Sequence, residues 1–187
     1  MTQTVTREEM RNATRGLPSV RLSEIVLRTA NYQELNDWYQ AVLGVDPYLE
    51  NERACFRRLH DDYPYQQLLV IFNKEVKEQT EPVAGLDHIQ VRHASLGDML
   101  DRYERLRDVG ITPHRCVNRG RSTSFYYHDP DGNTFELSTV NFDTEAEYLA
   151  YLESNPGPAF GSGQQIDPDE FAARFRSGVS RDELTRL

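Results

Sequence analysis

A chain of 187 residues with 30 acidic and 21 basic side chains carries a formal charge of −9 and is long enough for one sizeable core or two small modules. The acidic balance and a pI near 5.0 exclude nucleic acid and anionic membrane as main partners, since both require a basic footprint. Hydrophobic content of 38% assigns part of the chain to solvated tail, and two cysteines, Cys55 and Cys116, beside five histidines offer neither a disulfide scaffold nor a zinc-knuckle spacing.

Residues 1–20 read as a polar N-terminal arm with at most one helical turn, because Gly16 and Pro18 precede the first apolar run. The arm lacks the apolar stretch of a signal peptide, and nowhere does the chain approach about 18 consecutive apolar residues. A soluble protein of the reduced cytoplasm is therefore expected. From Leu22 the segment LSEIVLRT alternates, with Ile25 and Leu27 on one face and Glu24, Val26 and Arg28 on the other, which predicts a strand. In ANYQELNDWYQAVLG the apolar Leu35, Trp38, Tyr39, Val42 and Leu43 recur at helical spacing, with Gly44 as a C-terminal stop. Ala54 to Leu59 and Gln66 to Phe72 are β-prone runs around the turn-like HDDYPY and predict a hairpin.

The chain then repeats itself. At a constant shift of 64 residues, LSEIVLRTANYQELNDWYQ falls on LDHIQVRHASLGDMLDRYE with six identities, among them Ile25 on Ile89, Arg28 on Arg92 and Tyr39 on Tyr103. At a shift of 69, Phe56, Asp62 and Leu68 fall on Phe125, Asp131 and Leu137. The expected organisation is an arm over residues 1–20, a domain over 21–142 with modules 22–73 and 86–141, and a helical extension over 143–187. Each helix covers the apolar face of its own sheet, since a single module cannot bury both faces. The opposite face is polar: His88, Gln90 and Arg92 on one strand of module two, and Thr134, Glu136 and Ser138 on another. Two such faces opposed would line a cup.

The repeat sets Glu24 against His88 and Gln67 against Glu136. One imidazole, two carboxylates and an amide are oxygen and nitrogen donors that suit Fe(II), Mn(II), Ni(II) or Co(II) rather than a thiolate-seeking metal. The same residues could equally be polar neighbours that hold one another by hydrogen bonds. Gln66 competes with Gln67 for the inward position, because both faces of QQLLVIF are apolar.

ANYQELNDWYQAVLG in the first module, GLDHIQVRHASLGDMLDRYERL opening the second and SFYYHDPDGNTFEL closing it resemble the vicinal oxygen chelate superfamily, which includes glyoxalase I, the bleomycin-resistance proteins and the extradiol ring-cleaving dioxygenases. The chain most resembles its small, single-chain members related to dihydroxybiphenyl-cleaving enzymes. The resemblance implies an α+β fold of two tandem βαβββ modules, a curved mixed sheet around a metal-binding cup. It implies His88 and Glu136 as metal ligands and Tyr126 as a partner of the substrate oxygen. Glu24 stands where ring-cleaving relatives carry the first-module histidine, a change that adds negative charge at the metal and lowers its redox potential. A further histidine of those relatives is replaced, approximately, by Asn118 and Arg119.

Other side chains weigh less. His128 shares a strand face with Tyr126 and is a candidate acid or base; His93, His60 and His114 sit at strand ends or turns. Arg28 and Arg92 either bind an anionic substrate or neutralise Glu24 and Glu136. Trp38, Tyr39 and Tyr103 read as packing. In the extension, Thr144 with Glu147 and Ser180 with Glu183 fit capping boxes, and Asp167 with Pro168 fits a helix start. NPGPAFGSGQQ reads as a loop, and the extension as a lid or an interface with a second subunit. The expected function is a metal-dependent oxygenase of the extradiol type, with Fe(II) first and Mn(II), Ni(II) or Co(II) as alternatives, acting on a small aromatic diol or related enol through Glu24, His88, Glu136 and Tyr126. Its alternatives are a non-oxidative isomerase, epimerase or lyase, which a fourth ligand at Gln67 would favour, and a metal-free binder of an aromatic metabolite. A homodimer is the assembly considered, with the oligomeric state left open.

Overall fold

The computed structural model describes residues 6–18, 20–60, 66–77, 85–155 and 163–187. Most of the expected HDDYPY turn, the middle of the linker between modules and most of the NPGPAFGSGQQ loop lie outside the described residues. The arm contains α1 (Arg7–Asn12), closed by a reciprocal Thr6–Glu9 capping box and burying no side chain. Module one follows as β1 (Glu24–Thr29), α2 (Tyr32–Leu43), β2 (Leu49–Glu50), β3 (Ala54–Arg58) and β4 (Gln67–Phe72). Module two repeats the order as β5 (Ile89–Arg92), α3 (Leu96–Asp108), β6 (Arg115–Asn118), β7 (Ser122–His128) and β8 (Thr134–Val140). The extension adds α4 (Glu145–Ser154), β9 (Gln164–Gln165), α5 (Pro168–Arg176) and α6 (Arg181–Thr185).

Each module is a mixed sheet in which the first strand runs parallel to the last, in the orders β1-β4-β3-β2 and β5-β8-β7-β6-β9. The chain is thus an α+β protein of two βαβββ modules. The amphipathic spacing explains the helices: Leu35, Tyr39 and Val42 of α2 are fully buried, and Gly44, at φ 65°, ends the helix in the left-handed conformation that glycine adopts without strain. Met99, Leu100 and Tyr103 play the same part in α3. Large side chains buried in this way each contribute roughly 2 kcal/mol.

The two helices share one core with both inner sheet faces. Asn36 of α2 accepts from Arg57 of β3 at 2.9 Å, while Trp38 and Tyr39 pack edge-on against Phe135 of β8. Arg102 of α3 donates to the Val42 carbonyl at 2.6 Å, tying the helices together. Ladder pairing stays within each module, so this shared core joins the modules. Both outer faces are turned away from it; that of module two is polar, whereas that of module one, expected to be polar, also carries Val26, Phe56, Leu69 and Ile71.

The register corrects two equivalences drawn from the repeat. Glu24 stands opposite Gln67, whereas Glu136 stands opposite Gln90, so His88 and Glu136 are offset by two positions relative to Glu24 and Gln67. The helix N-caps Asn31 and Ser95 keep the shift of 64. With Glu24 matched to His88, the module-one counterpart of Glu136 is therefore Leu69, not Gln67. The shift of 69 also fails for the hairpin: Phe125 lies under Tyr103 of α3, while Phe56 meets Tyr48, the partner of Gln67, on the outer face. The Phe56–Phe125 identity is therefore coincidental, and Asp62 lies outside the described residues.

The extension packs on module two of its own chain, with Phe171, Ala172 and Leu184 in the shared core. Asp169 accepts from Tyr103 at 2.8 Å and from Arg107 at 2.6 Å. Gln164 and Gln165, expected in a loop, instead form β9 on the edge of β6. Among the described residues no helix is long and apolar enough to cross a membrane.

Candidate active site

The outer face of module two carries a cavity of about 630 Å³ whose wall includes His88, Gln90, Tyr126, Glu136 and Ser138. Strand alternation puts them there, because Ile89, Phe125, Phe135 and Leu137 between them are committed to the core. Glu136 is 3% exposed, and its two oxygens are held by different neighbours. Oε2 lies 2.9 Å from His88 Nε2, and Oε1 accepts from Gln90 Nε2 at 3.1 Å. Gln90 in turn donates to Ser138 Oγ at 2.9 Å. On the far side of the imidazole, His88 Nδ1 lies 2.5 Å from the carboxylate of Asp87.

On the Glu136 side the contact needs a hydrogen or a metal ion between the atoms, since a bare Nε2 lone pair facing Oε2 at 2.9 Å is repulsive. A proton satisfies that need, and so does a metal ion bound by both atoms. The Asp87 contact has the form of the outer-shell carboxylate that orients metal-binding histidines. The Tyr126 ring stands edge-on to His88 with centroids 5.9 Å apart. Burial and the Glu136 carboxylate push the Tyr126 hydroxyl above the ordinary tyrosine range, opposed by the Arg119 guanidinium. Tyr126 is thus a neutral hydrogen-bond donor at physiological pH.

Glu24 lies elsewhere. It accepts from Gln67 Nε2 at 2.7 Å, and the Gln67 carbonyl accepts from Tyr48. Neither Glu24 nor Gln67 lines the cavity that holds His88 and Glu136, and among the described residues no group of three or more His, Cys, Asp and Glu side chains is arranged to hold a metal ion. His128 is exposed at the end of β7, its ring stacked on His114 with centroids 3.8 Å apart, and it does not line the cavity. His93 faces the core side, where it meets Arg102. Arg92 lines the cavity, together with Arg115, Arg119 and Arg121, which strand alternation alone did not single out. Asp87 was also missed, though its place beside His88 was a readable signal.

The HDPDGN segment is a structural device. Asp129, 4% exposed, accepts from the backbone amides of Asp131 at 3.0 Å and Asn133 at 2.8 Å, and from the Tyr39 hydroxyl at 2.9 Å. It turns the chain from β7 to β8 and fixes Tyr126 opposite Glu136.

Residues 21–137 match the Glyoxalase/Bleomycin resistance protein/Dioxygenase superfamily. The chain belongs to that superfamily. Within it, the chain is 34% identical over 165 residues to biphenyl-2,3-diol 1,2-dioxygenase 3 of Rhodococcus globerulus, covering 88% of this chain and 87% of the relative. It is 32% identical over 168 residues to biphenyl-2,3-diol 1,2-dioxygenase 2 of the same organism, covering 88% and 86%. Solved structures of the superfamily share the fold. A glyoxylase/bleomycin resistance protein/dioxygenase domain from Frankia sp. EAN1pec matches with TM-score 0.55 at 16% identity, over 66% of this chain and 99% of that one. Lactoylglutathione lyase from Agrobacterium tumefaciens matches with TM-score 0.53 at 18% identity, over 65% and 95%.

Proposed function

We propose that this superfamily member is a metal-dependent oxygenase of the extradiol ring-cleaving type, acting on a small aromatic diol or a related enol. The observation that carries the reading is the His88–Glu136 pair at 2.9 Å, backed by Asp87 and set in the wall of a cavity beside Tyr126. The names of the Rhodococcus relatives support it. The donors fit a divalent ion: one imidazole nitrogen and one buried carboxylate oxygen, each oriented by a neighbour. Fe(II) is the first expectation, with Mn(II), Co(II) and Ni(II) as alternatives. When bound, such an ion supplies Lewis acidity toward two adjacent substrate oxygens and, for iron, a site for O₂.

The chain's own residues supply the rest. Asp87 keeps the proton on His88 Nδ1 and so keeps Nε2 available. Gln90 holds the orientation of Glu136 by donating to its other oxygen. Tyr126 donates its hydroxyl proton in a hydrogen bond to an anionic substrate oxygen, where that charge is most in need of it. His128, outside the cavity wall and stacked on His114, carries no role in this reading.

Glu24 is the proposed third ligand, and it reaches the pair only when a second copy lays its module-one face over this cavity. That outer face offers Val26, Phe56 and Ile71, exposed or half-buried, beside Glu24. The active form is therefore a homodimer. The four-donor arrangement that would favour an isomerase or lyase also needs the side-chain carbonyl of Gln67, which already accepts from Tyr48. Anaerobic loading with Fe(II) followed by O₂-electrode measurement on a panel of catechols tests the reading. Stoichiometric O₂ uptake with a ring-fission chromophore is expected; turnover that survives strict anaerobiosis, or no uptake with any diol, contradicts it.

A further inference from the structure

The acidic surplus of the chain is reversed inside the cavity. Arg92, Arg115, Arg119 and Arg121 line it, against the carboxylates of Asp87 and Glu136. Both carboxylates already engage His88, and Glu136 accepts from Gln90 as well. Among the described residues, none of the four guanidinium groups lies within 4.0 Å of a carboxylate. Arginines elsewhere in the chain are paired: Arg107 with Asp169 and Arg181 with Asp143, each at 2.6 Å, and Arg176 with Glu104 at 2.7 Å. Four like charges on one wall repel one another, an arrangement that an entering anion would relieve.

The guanidinium groups stand beside the reacting pair. Those of Arg115 and Arg119 lie 5.5 and 5.6 Å from the centre of the Tyr126 ring, which is itself edge-on to His88. Arg119 and Arg121 flank Gly120 on the tight β6–β7 turn, and that turn is clamped from below. Asn118, 1% exposed, accepts from the Gly120 amide at 2.8 Å and donates to the Thr185 carbonyl at 3.0 Å. Asn141, 3% exposed, donates to the Gly120 carbonyl at 2.9 Å. Gly120 has φ 71°, and a Cβ there would run into Tyr151 of α4, so β6, β8 and the extension together fix the turn. A clamped backbone presents the two cations with little ordering left to do on binding.

We propose that the cavity takes an anionic substrate: an aromatic diol, or the related enol, bearing a carboxylate side chain that Arg119 and Arg121 grip, with Arg92 and Arg115 flanking. Paired N–H donors of a guanidinium match the two oxygens of a carboxylate. The inference rests on the diol reading above and departs from the uncharged biphenyl diols in the relatives' names.

The test has two arms. In the first, metal-free protein is titrated calorimetrically with 3-phenylpropionate and with its neutral twin 3-phenylpropionamide. Carboxylate binding at least about tenfold tighter is expected, lost in Arg119→Gln and Arg121→Gln, partly restored in Arg121→Lys, and unchanged in the surface control Arg53→Gln. Thermal melts verify that each variant folds. In the second arm, iron-loaded protein is compared on 3-(2,3-dihydroxyphenyl)propionate and 2,3-dihydroxybiphenyl, with a higher kcat/KM expected for the carboxylate. Equal binding of acid and amide overturns the proposal, as does a dimer weakened by Arg119→Gln with carboxylate binding intact, which would assign the arginines to a second copy. Carboxylate preference without O₂ uptake leaves this inference standing and removes the oxygenase. Equal cleavage of charged and neutral diols does the reverse.

Discussion

His93 follows Arg92 directly, yet alternation turns its ring away from the cavity and toward α3. Arg102 Nε donates to His93 Nε2 at 3.0 Å, which leaves the ring proton on Nδ1, 3.3 Å from the Ser138 carbonyl. The imidazole is neutral, and burial, with Arg102 adding to it, holds its pKa below the ordinary value of 6.5 against the opposing pull of Ser138 and Asp98. The unfolded chain therefore takes up a proton more readily than the folded one. The stability due to His93 is complete above pH 6.5 and is lost as pH falls from there toward the folded-state pKa. Urea midpoints measured from pH 7.5 to 5 should fall more steeply for the natural chain than for His93→Asn; identical slopes would exclude this role. At this scale the sequence was informative where parity decides the matter: His88, Tyr126 and Glu136 had to share the polar face because their neighbours are apolar. It was uninformative for Glu24, because parity assigns a face to a side chain without saying what that face meets.

The β7–β8 turn and the β6–β7 turn are where single elements set the site. Asp129 is buried, and burial raises its pKa while hydrogen bonds from Asn133, Tyr39 and Asp131 pull it down. Asp129→Ala would leave the buried Tyr39 hydroxyl and the partly buried amides of Asp131 and Asn133 without their acceptor, at a cost of about 3 kcal/mol. Guanidinium unfolding measures this; a loss below about 0.5 kcal/mol would mean that the turn holds itself. Helices were legible from apolar spacing and caps, as the buried Leu35, Tyr39 and Val42 and the Thr144–Glu147 capping box demonstrate. Edge pairing was not. Gln164 and Gln165 carry no strand signal of their own and join β6 through backbone bonds, which any residue pair can make. The shift of 69 failed at Phe56 for a related reason: a one-residue slip sends a strand's side chains to the opposite face, and a single identity cannot detect it.

For the molecule as a whole, residues 143–187 hold 9 acidic and 4 basic side chains, so −5 of the −9 belongs to the extension. Net charge thus described the surface and concealed a cavity lined by four arginines. One shared helical core sends the two outer sheet faces in different directions, which separates Glu24 from His88 in a single chain and makes a second copy part of the proposed site. Everything proposed for the chemistry depends on a divalent ion at His88 and Glu136. The most direct measurement is calorimetric titration of the metal-free protein with Co(II), anaerobically, for the natural chain and for His88→Ala and Glu136→Ala. One ion per chain is predicted, with affinity falling by at least about 100-fold in either variant and by about 10- to 100-fold in Asp87→Ala. Stoichiometric binding left unchanged by His88→Ala would contradict the account.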